Sequence, residues 1–172
     1  MRKEKRNSGM AVLAVFLWMS YLAVLILILF LSFEDGESAK NFGKKTIRYL
    51  AEEHYDTDDI PEEVMLTFTY KVRQLGRIVL FMALGVLGTM TIHVTFHRLP
   101  WIVRAIISIT MLLAIAIFTE RYKVYLPTRH FSSTEMKYSI AGALSGFAFV
   151  SAVTFVFSFV RWILRSIYKL LR

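Results

Sequence analysis

The sequence predicts an all-α membrane protein, with four transmembrane helices in a small bundle. Three observations predict it. The 172-residue chain holds four apolar stretches, about residues 10–33, 78–96, 101–118 and 138–160. Each is long enough to cross a bilayer as a helix, which takes about 20 mostly apolar residues because unpaired backbone groups in hydrocarbon cost several kcal/mol each. Composition agrees: 56% of residues are hydrophobic and only 20% charged, with mean hydropathy +0.51. A water-soluble chain of this size could not cover so much apolar surface. The third observation is the placement of basic residues, which assigns a consistent topology to the four stretches.

The N-terminal tail carries Arg2, Lys3, Lys5 and Arg6 against Glu4. The short connection after the second stretch carries Arg98, with Arg104 just beyond it, and the C-terminal tail carries Arg161, Arg165, Lys169 and Arg172 with no acid. By the positive-inside rule both termini and the short turn are cytoplasmic, and the loops 34–77 and 119–137 lie outside. The formal net charge of +8 is thereby assigned to topology and to anionic lipid, and no nucleic-acid partner is expected. The whole chain, 1–172, reads as one transmembrane domain without room for a separate soluble enzyme. It has no cysteine, which removes disulfides, thiol nucleophiles and thiolate metal sites.

The first stretch has a basic start like a signal peptide. Its apolar core exceeds the usual 7–15 residues of such a segment, and Ser32-Phe33-Glu34-Asp35-Gly36 is a poor cleavage site, so a retained span is expected. In the loop that follows, Ile47, Leu50, Ala51 and His54 share one helical face near Lys44, Lys45 and Arg48. That spacing predicts an amphipathic helix on the outer membrane surface. Pro61-Glu62-Glu63 has the form of a first helical turn, with proline early and acids at the positive end of the dipole, so a helix is expected to run from there into the second span. Pro100 and Trp101 suit a helix start at an interface. After the fourth span, bases recur every three or four residues from Arg161 to Arg172, which predicts a basic amphipathic tail on anionic lipid.

Few motifs carry chemistry. No H-E-x-x-H, G-x-S-x-G or Walker pattern is present. His93 and His97 are four apart, a spacing that puts both on one helical face, but no third ligand accompanies them and no metal or cofactor is expected. Gly142-x-x-x-Gly146 offers close approach to another helix, either inside the bundle or on a helix–helix partner. The strongest cluster is charged. Arg73, Arg77, Glu120, Lys123, Arg129 and Glu135 all fall at the outer ends of spans two, three and four. Charges beside apolar segments are costly unless paired, so Glu120 should meet Arg73 or Arg77, and Arg129 should meet Glu135. Surplus arginine would favour a phosphate or carboxylate ligand. The alternative is an ion-pair layer that only fixes helix register.

In chain order these residues resemble the VanZ-like membrane family. Ser32, Gly36 and Ser38 fit the family pattern at the end of the first span. Arg73, Leu84 and Gly85, with Phe81 at a tyrosine place, fit the family pattern entering the second. Glu120, Pro127 and Arg129, with Tyr125 for phenylalanine, fit the pattern after the third; Glu135, Gly142 and Gly146 follow. Arg77 stands where the family usually has histidine, Gln74 for lysine, Thr119 for aspartate, Lys123 for glutamine and Thr128 for glycine. The resemblance implies a multi-pass protein of the bacterial cytoplasmic membrane, associated with resistance to glycopeptide antibiotics such as teicoplanin. The expected function is non-enzymatic action at the outer face, in resistance or cell-envelope maintenance, by binding an anionic lipid-linked or cell-wall precursor. The alternatives are a membrane-embedded enzyme modifying a lipid or wall precursor, with Glu120 as its acid/base, and a membrane assembly factor.

Overall fold

The computed structural model describes residues 2–33, 62–126 and 131–170, and all regular structure among them is helical. Helix α1 spans Arg2–Phe33, α2 spans Glu62–Thr95, α3 spans Trp101–Arg121 and α4 spans Ser133–Leu170. A 3-10 turn, Tyr122–Tyr125, extends α3. All four helices are long and apolar enough to cross a membrane. At 1.5 Å per residue, the 21-residue α3 measures about 30 Å, the thickness of a bilayer's hydrocarbon core.

The helices run beyond the apolar stretches. The membrane-length segment of α2 starts at Tyr70, eight residues before the apolar run, and that of α4 starts at Ser133. Helix α2 itself begins at Glu62, so the segment after Pro61 does continue unbroken into the second span. The loop expected over 119–137 is mostly helical: α3 carries on through Arg121 and the 3-10 turn, and α4 starts at Ser133. Residues 161–170 continue α4 without a break. The amphipathic helix expected near Lys44–His54 lies outside the described residues.

Helix α2 is the centre of the bundle, packing on α1, α3 and α4, and its most extensive contact is with α4. About 44% of its 18-residue apolar window is buried, against 17%, 28% and 18% for the corresponding windows of α1, α3 and α4. Glycine permits the closest of these contacts. A Cβ on Gly142 would meet the backbone of Ile78, one on Gly146 the backbone of Met82 and Val86, and one on Gly85 the carbonyl of Ala143. Only hydrogen at these positions lets two backbones come so close, the use of small residues expected between membrane helices. Ile78 facing Gly142 and Met82 facing Gly146 show that α2 and α4 run parallel, so a chain passing back and forth brings its second and fourth helices together. The glycine pair of α4 therefore lies against α2 within the bundle. Gly88 plays a related part for α1, since its missing Cβ makes room for the Tyr21 ring.

Around this seam Tyr21, Ile28, Phe81, Leu84, Leu112, Ala116 and Ala143 form the buried core. The outward surface is apolar too. Phe16, Phe30, Phe155 and Phe157 are each more than half exposed. Such a surface is unsuited to water and suited to lipid. The bundle has two distinct ends. The turn end holds the connection 96–100 and the start of α1. The loop end holds Phe33, the start of α2, the 3-10 turn and the start of α4.

Candidate functional site: a buried charge cluster at the loop end

Five charged side chains converge at the loop end. Arg73 and Arg77 come from α2, one turn apart on one face. Glu120 comes from the last turn of α3, Lys123 from the 3-10 turn and Glu135 from the first turn of α4. Arg77 bridges both acids: its Nη1 donates to Glu120 Oε2 at 2.8 Å and its Nη2 pairs with Glu135 Oε2 at 2.9 Å. Lys123 repeats the bridge, with Nζ at 2.7 Å from Glu120 Oε2 and 2.8 Å from Glu135 Oε2. Arg73 Nη2 donates to Glu135 Oε1 at 2.9 Å. Two cations thus tie the same two carboxylates together, and three helices are joined through them.

The cluster is buried to different depths. Glu120 and Lys123 are each 1% exposed, whereas the Arg73 side chain is 40% exposed and forms the rim. A lysine with so little solvent must have its charge met by neighbours, since desolvating an ion costs several kcal/mol. The two carboxylates supply that. The 3-10 turn makes the placement possible: it tightens the chain after α3 and turns Lys123 inward, while Tyr122, Val124 and Tyr125 face out.

The start of α4 adds a further link. Ser132-Ser133-Thr134-Glu135 has the spacing of a capping box, in which the serine bonds the fourth residue's N–H and the glutamate bonds back. The first half is present: the Glu135 N–H donates to Ser132 Oγ at 3.3 Å. The return bond comes from another helix, because the Ser132 N–H donates to Glu120 Oε1 at 3.1 Å. Glu120 thereby releases the Glu135 carboxylate to the cations. The Ser139 hydroxyl, one turn on, donates to the Glu135 carbonyl at 3.1 Å. All four carboxylate oxygens are engaged, and three cations face two acids, leaving one positive charge in excess.

Of the six residues singled out in the sequence, the structure brings Arg73, Arg77, Glu120, Lys123 and Glu135 together. Arg129 lies outside the described residues. Glu120 meets Arg77, and Glu135 is met by Arg73, Arg77 and Lys123. An aromatic band flanks the cluster: the Tyr122 ring lies 5.0 Å from Phe33, 5.6 Å from Phe118 and 6.0 Å from Tyr125. Tyrosine at this level fits a membrane–water interface. Arg121 stacks over Phe131 at 5.4 Å.

His93 and His97 do not share a helical face. Helix α2 ends at Thr95, so His97 sits exposed in the turn while His93 is buried with its Nδ1 2.9 Å from the Thr89 carbonyl. Among the described residues no group of three or more potential ligands is placed to hold a metal ion. Comparison with protein-family models, with curated proteins and with solved structures finds no match to this chain.

Proposed function

We propose that this chain is a VanZ-like multi-pass protein of the bacterial cytoplasmic membrane, with both termini cytoplasmic and the loop end outside. It acts without turnover, holding an anionic envelope molecule at the Arg73 rim of the charge cluster. The observation that carries this reading is the surplus of one cation, combined with the half-open position of Arg73 above a closed set of ion pairs. Guanidinium at such a rim keeps N–H donors for a phosphate or carboxylate, and the apolar surroundings strengthen the attraction.

The motif residues support the family reading. Arg73 of the second pattern and Glu120 and Glu135 of the third meet in one cluster, while Gly85, Gly142 and Gly146 form one seam. Against an enzymatic role for Glu120, its Oε2 is shared by Arg77 and Lys123, its Oε1 accepts the Ser132 N–H, and the side chain is almost without solvent. A general base needs a free oxygen within reach of the substrate.

The test uses the purified full chain in detergent with a polyprenyl phosphate, and the uncharged polyprenol as control. The phosphate should bind more tightly than the alcohol. Arg73→Gln, which removes the rim guanidinium and its pair with Glu135 but leaves the Arg77 and Lys123 bridges in place, should weaken phosphate binding about tenfold, the size expected for one charge-assisted hydrogen bond. Equal binding of phosphate and alcohol, or an unchanged affinity in the variant, would reduce the cluster to a structural ion-pair layer. The link to glycopeptide tolerance is tested separately, by the antibiotic profile of a deletion strain complemented with wild type or Arg73→Gln.

A further inference from the structure

The turn end shows the opposite condition to the loop end: polar groups without partners. Arg104 lies in the first turn of α3. Its Nη1 donates to the His93 carbonyl at 3.3 Å, a long bond, which caps the end of α2. Its Nε is buried with no acceptor, and no carboxylate pairs with it among the described residues. His93 is also orphaned. Its Nδ1 proton goes to the Thr89 carbonyl, which leaves Nε2 as a buried acceptor without a donor. A third buried atom without a partner, Ser151 Oγ, lies on α4.

The start of α3 adds to the same deficit. Pro100 is its N-cap and makes no side-chain capping bond, and the first turn holds no acid. The positive end of the helix dipole is therefore left unmatched, and Arg104 adds to it. Exposed His97 and Arg98 flank the same turn. Buried polar groups are normally satisfied, and two orphans on side chains joined by the Arg104–His93 bond mark a missing group. A water molecule would complete the hydrogen bonds of Arg104 and His93 but would leave the arginine's charge unmet in an apolar helix.

We propose that the turn end is a binding site for a phosphate that carries a hydroxyl. An anionic oxygen accepts from Arg104 and lies at the N-terminus of α3, where phosphates are favoured. The hydroxyl donates to His93 Nε2. Arg104 exchanges its long bond to the His93 carbonyl for a charge-assisted one. Two sources offer this chemistry: the phosphoglycerol headgroup of an anionic phospholipid, and free monohydrogen phosphate. The site is independent of the loop-end cluster and of the function proposed for it.

The experiment places the full chain in phosphatidylcholine nanodiscs with and without phosphatidylglycerol, and in phosphatidylcholine alone with inorganic phosphate. The readout is the ¹⁵N resonance of His93 Nε2, assigned by its loss in His93→Gln, together with the lipid retained on the protein by native mass spectrometry. Phosphatidylglycerol should move the resonance and be retained over phosphatidylcholine. Arg104→Gln should lower that retention about tenfold, whereas Arg121→Gln at the loop end should not change it. A shift with inorganic phosphate alone supports the site and identifies free phosphate as its source. If neither phosphate source moves the wild-type resonance, water alone fills the site and the proposal fails. It fails equally if folded Arg104→Gln retains phosphatidylglycerol as wild type does.

Discussion

Replacing Glu120 with glutamine should destabilise the bundle more than replacing Lys123 with methionine, although both side chains are equally buried. The asymmetry follows from charge. With Glu120 neutral, three cations face the single carboxylate of Glu135, and the glutamine NH₂ or carbonyl must replace an oxygen that serves both Arg77 and Lys123. With Lys123 apolar, two arginines face two acids, and Arg77 still bridges both. At an effective dielectric constant near 20, each pair at this separation carries about 4–6 kcal/mol of gross attraction, most of it offset by desolvation. Removing one partner and leaving a buried charge unmet costs about 3–5 kcal/mol. Lys123→Met loses two charge-assisted bonds but also the desolvation penalty of the ammonium, for a net cost of about 1–3 kcal/mol. At roughly 2–4 °C per kcal/mol for a chain of this length, Glu120→Gln should lower the melting temperature by on the order of 10 °C and Lys123→Met by about 5 °C.

The assay is thermal unfolding of the purified protein in one detergent, followed by tryptophan fluorescence, with the double variant completing the cycle. The double variant restores a surplus of one cation, so its loss should be smaller than the sum of the two single losses by about 1–3 kcal/mol. The reasoning is refuted if Lys123→Met proves the worse single variant. Strict additivity would refute it as well, because it would mean that the two residues do not share one electrostatic site.

Two further predictions follow from other parts of the molecule. Gly146→Leu should push α4 off α2 and cost about 3 kcal/mol or more, since the obstruction is Met82 and Val86 backbone and not a movable side chain; Gly9→Leu, whose Cβ position is open, should melt within about 0.5 kcal/mol of wild type. Single cysteines at Ser8, Ser38 and Thr134 in this cysteine-free chain test the proposed orientation: an impermeant thiol reagent applied to intact cells should label Ser38→Cys and Thr134→Cys and spare Ser8→Cys.

The four spans were legible in the sequence because apolar length is a direct consequence of bilayer thickness. Their ends were not. Hydropathy places the start of the second span after Arg77 and of the fourth after Glu135, because an isolated charge counts against a membrane segment. In the folded chain those charges pair with one another, and the helices extend past them. The Arg77–Glu120 meeting could be read from order and topology alone, since the short 96–100 connection forces α2 and α3 to share both ends. The burial of Lys123 could not. It depends on a 3-10 turn where the sequence reads as loop. Nor could the sharing of the Ser132 cap, because the S-x-x-E spacing points to Glu135 as the returning acid and gives no sign of Glu120. The two histidines misled for a related reason: a four-residue spacing means a common face only while the helix lasts, and α2 already ends at Thr95.

These features divide the work of holding the bundle. In its middle the hydrophobic effect cannot drive α2 onto α4, because lipid is as apolar as the helices, and close backbone contact through Gly85, Gly142 and Gly146 takes its place. At the loop end the cluster adds direction. Arg77 and Lys123 each need both Glu120 and Glu135, so sliding any one of the three elements by a helical turn would break two bridges at once. Contact between glycine faces tolerates slippage in a way that this charge pattern does not. Helix α1 takes part in neither device: it reaches the others through Tyr21 against Gly88, the Trp18 indole donating to Thr95 Oγ1 at 3.1 Å, and Phe33 against Tyr122. The charge surplus of the loop end therefore belongs to α2, α3 and α4, the three helices that the bridges join, while α1 packs on α2 through the core side chains Tyr21 and Ile28.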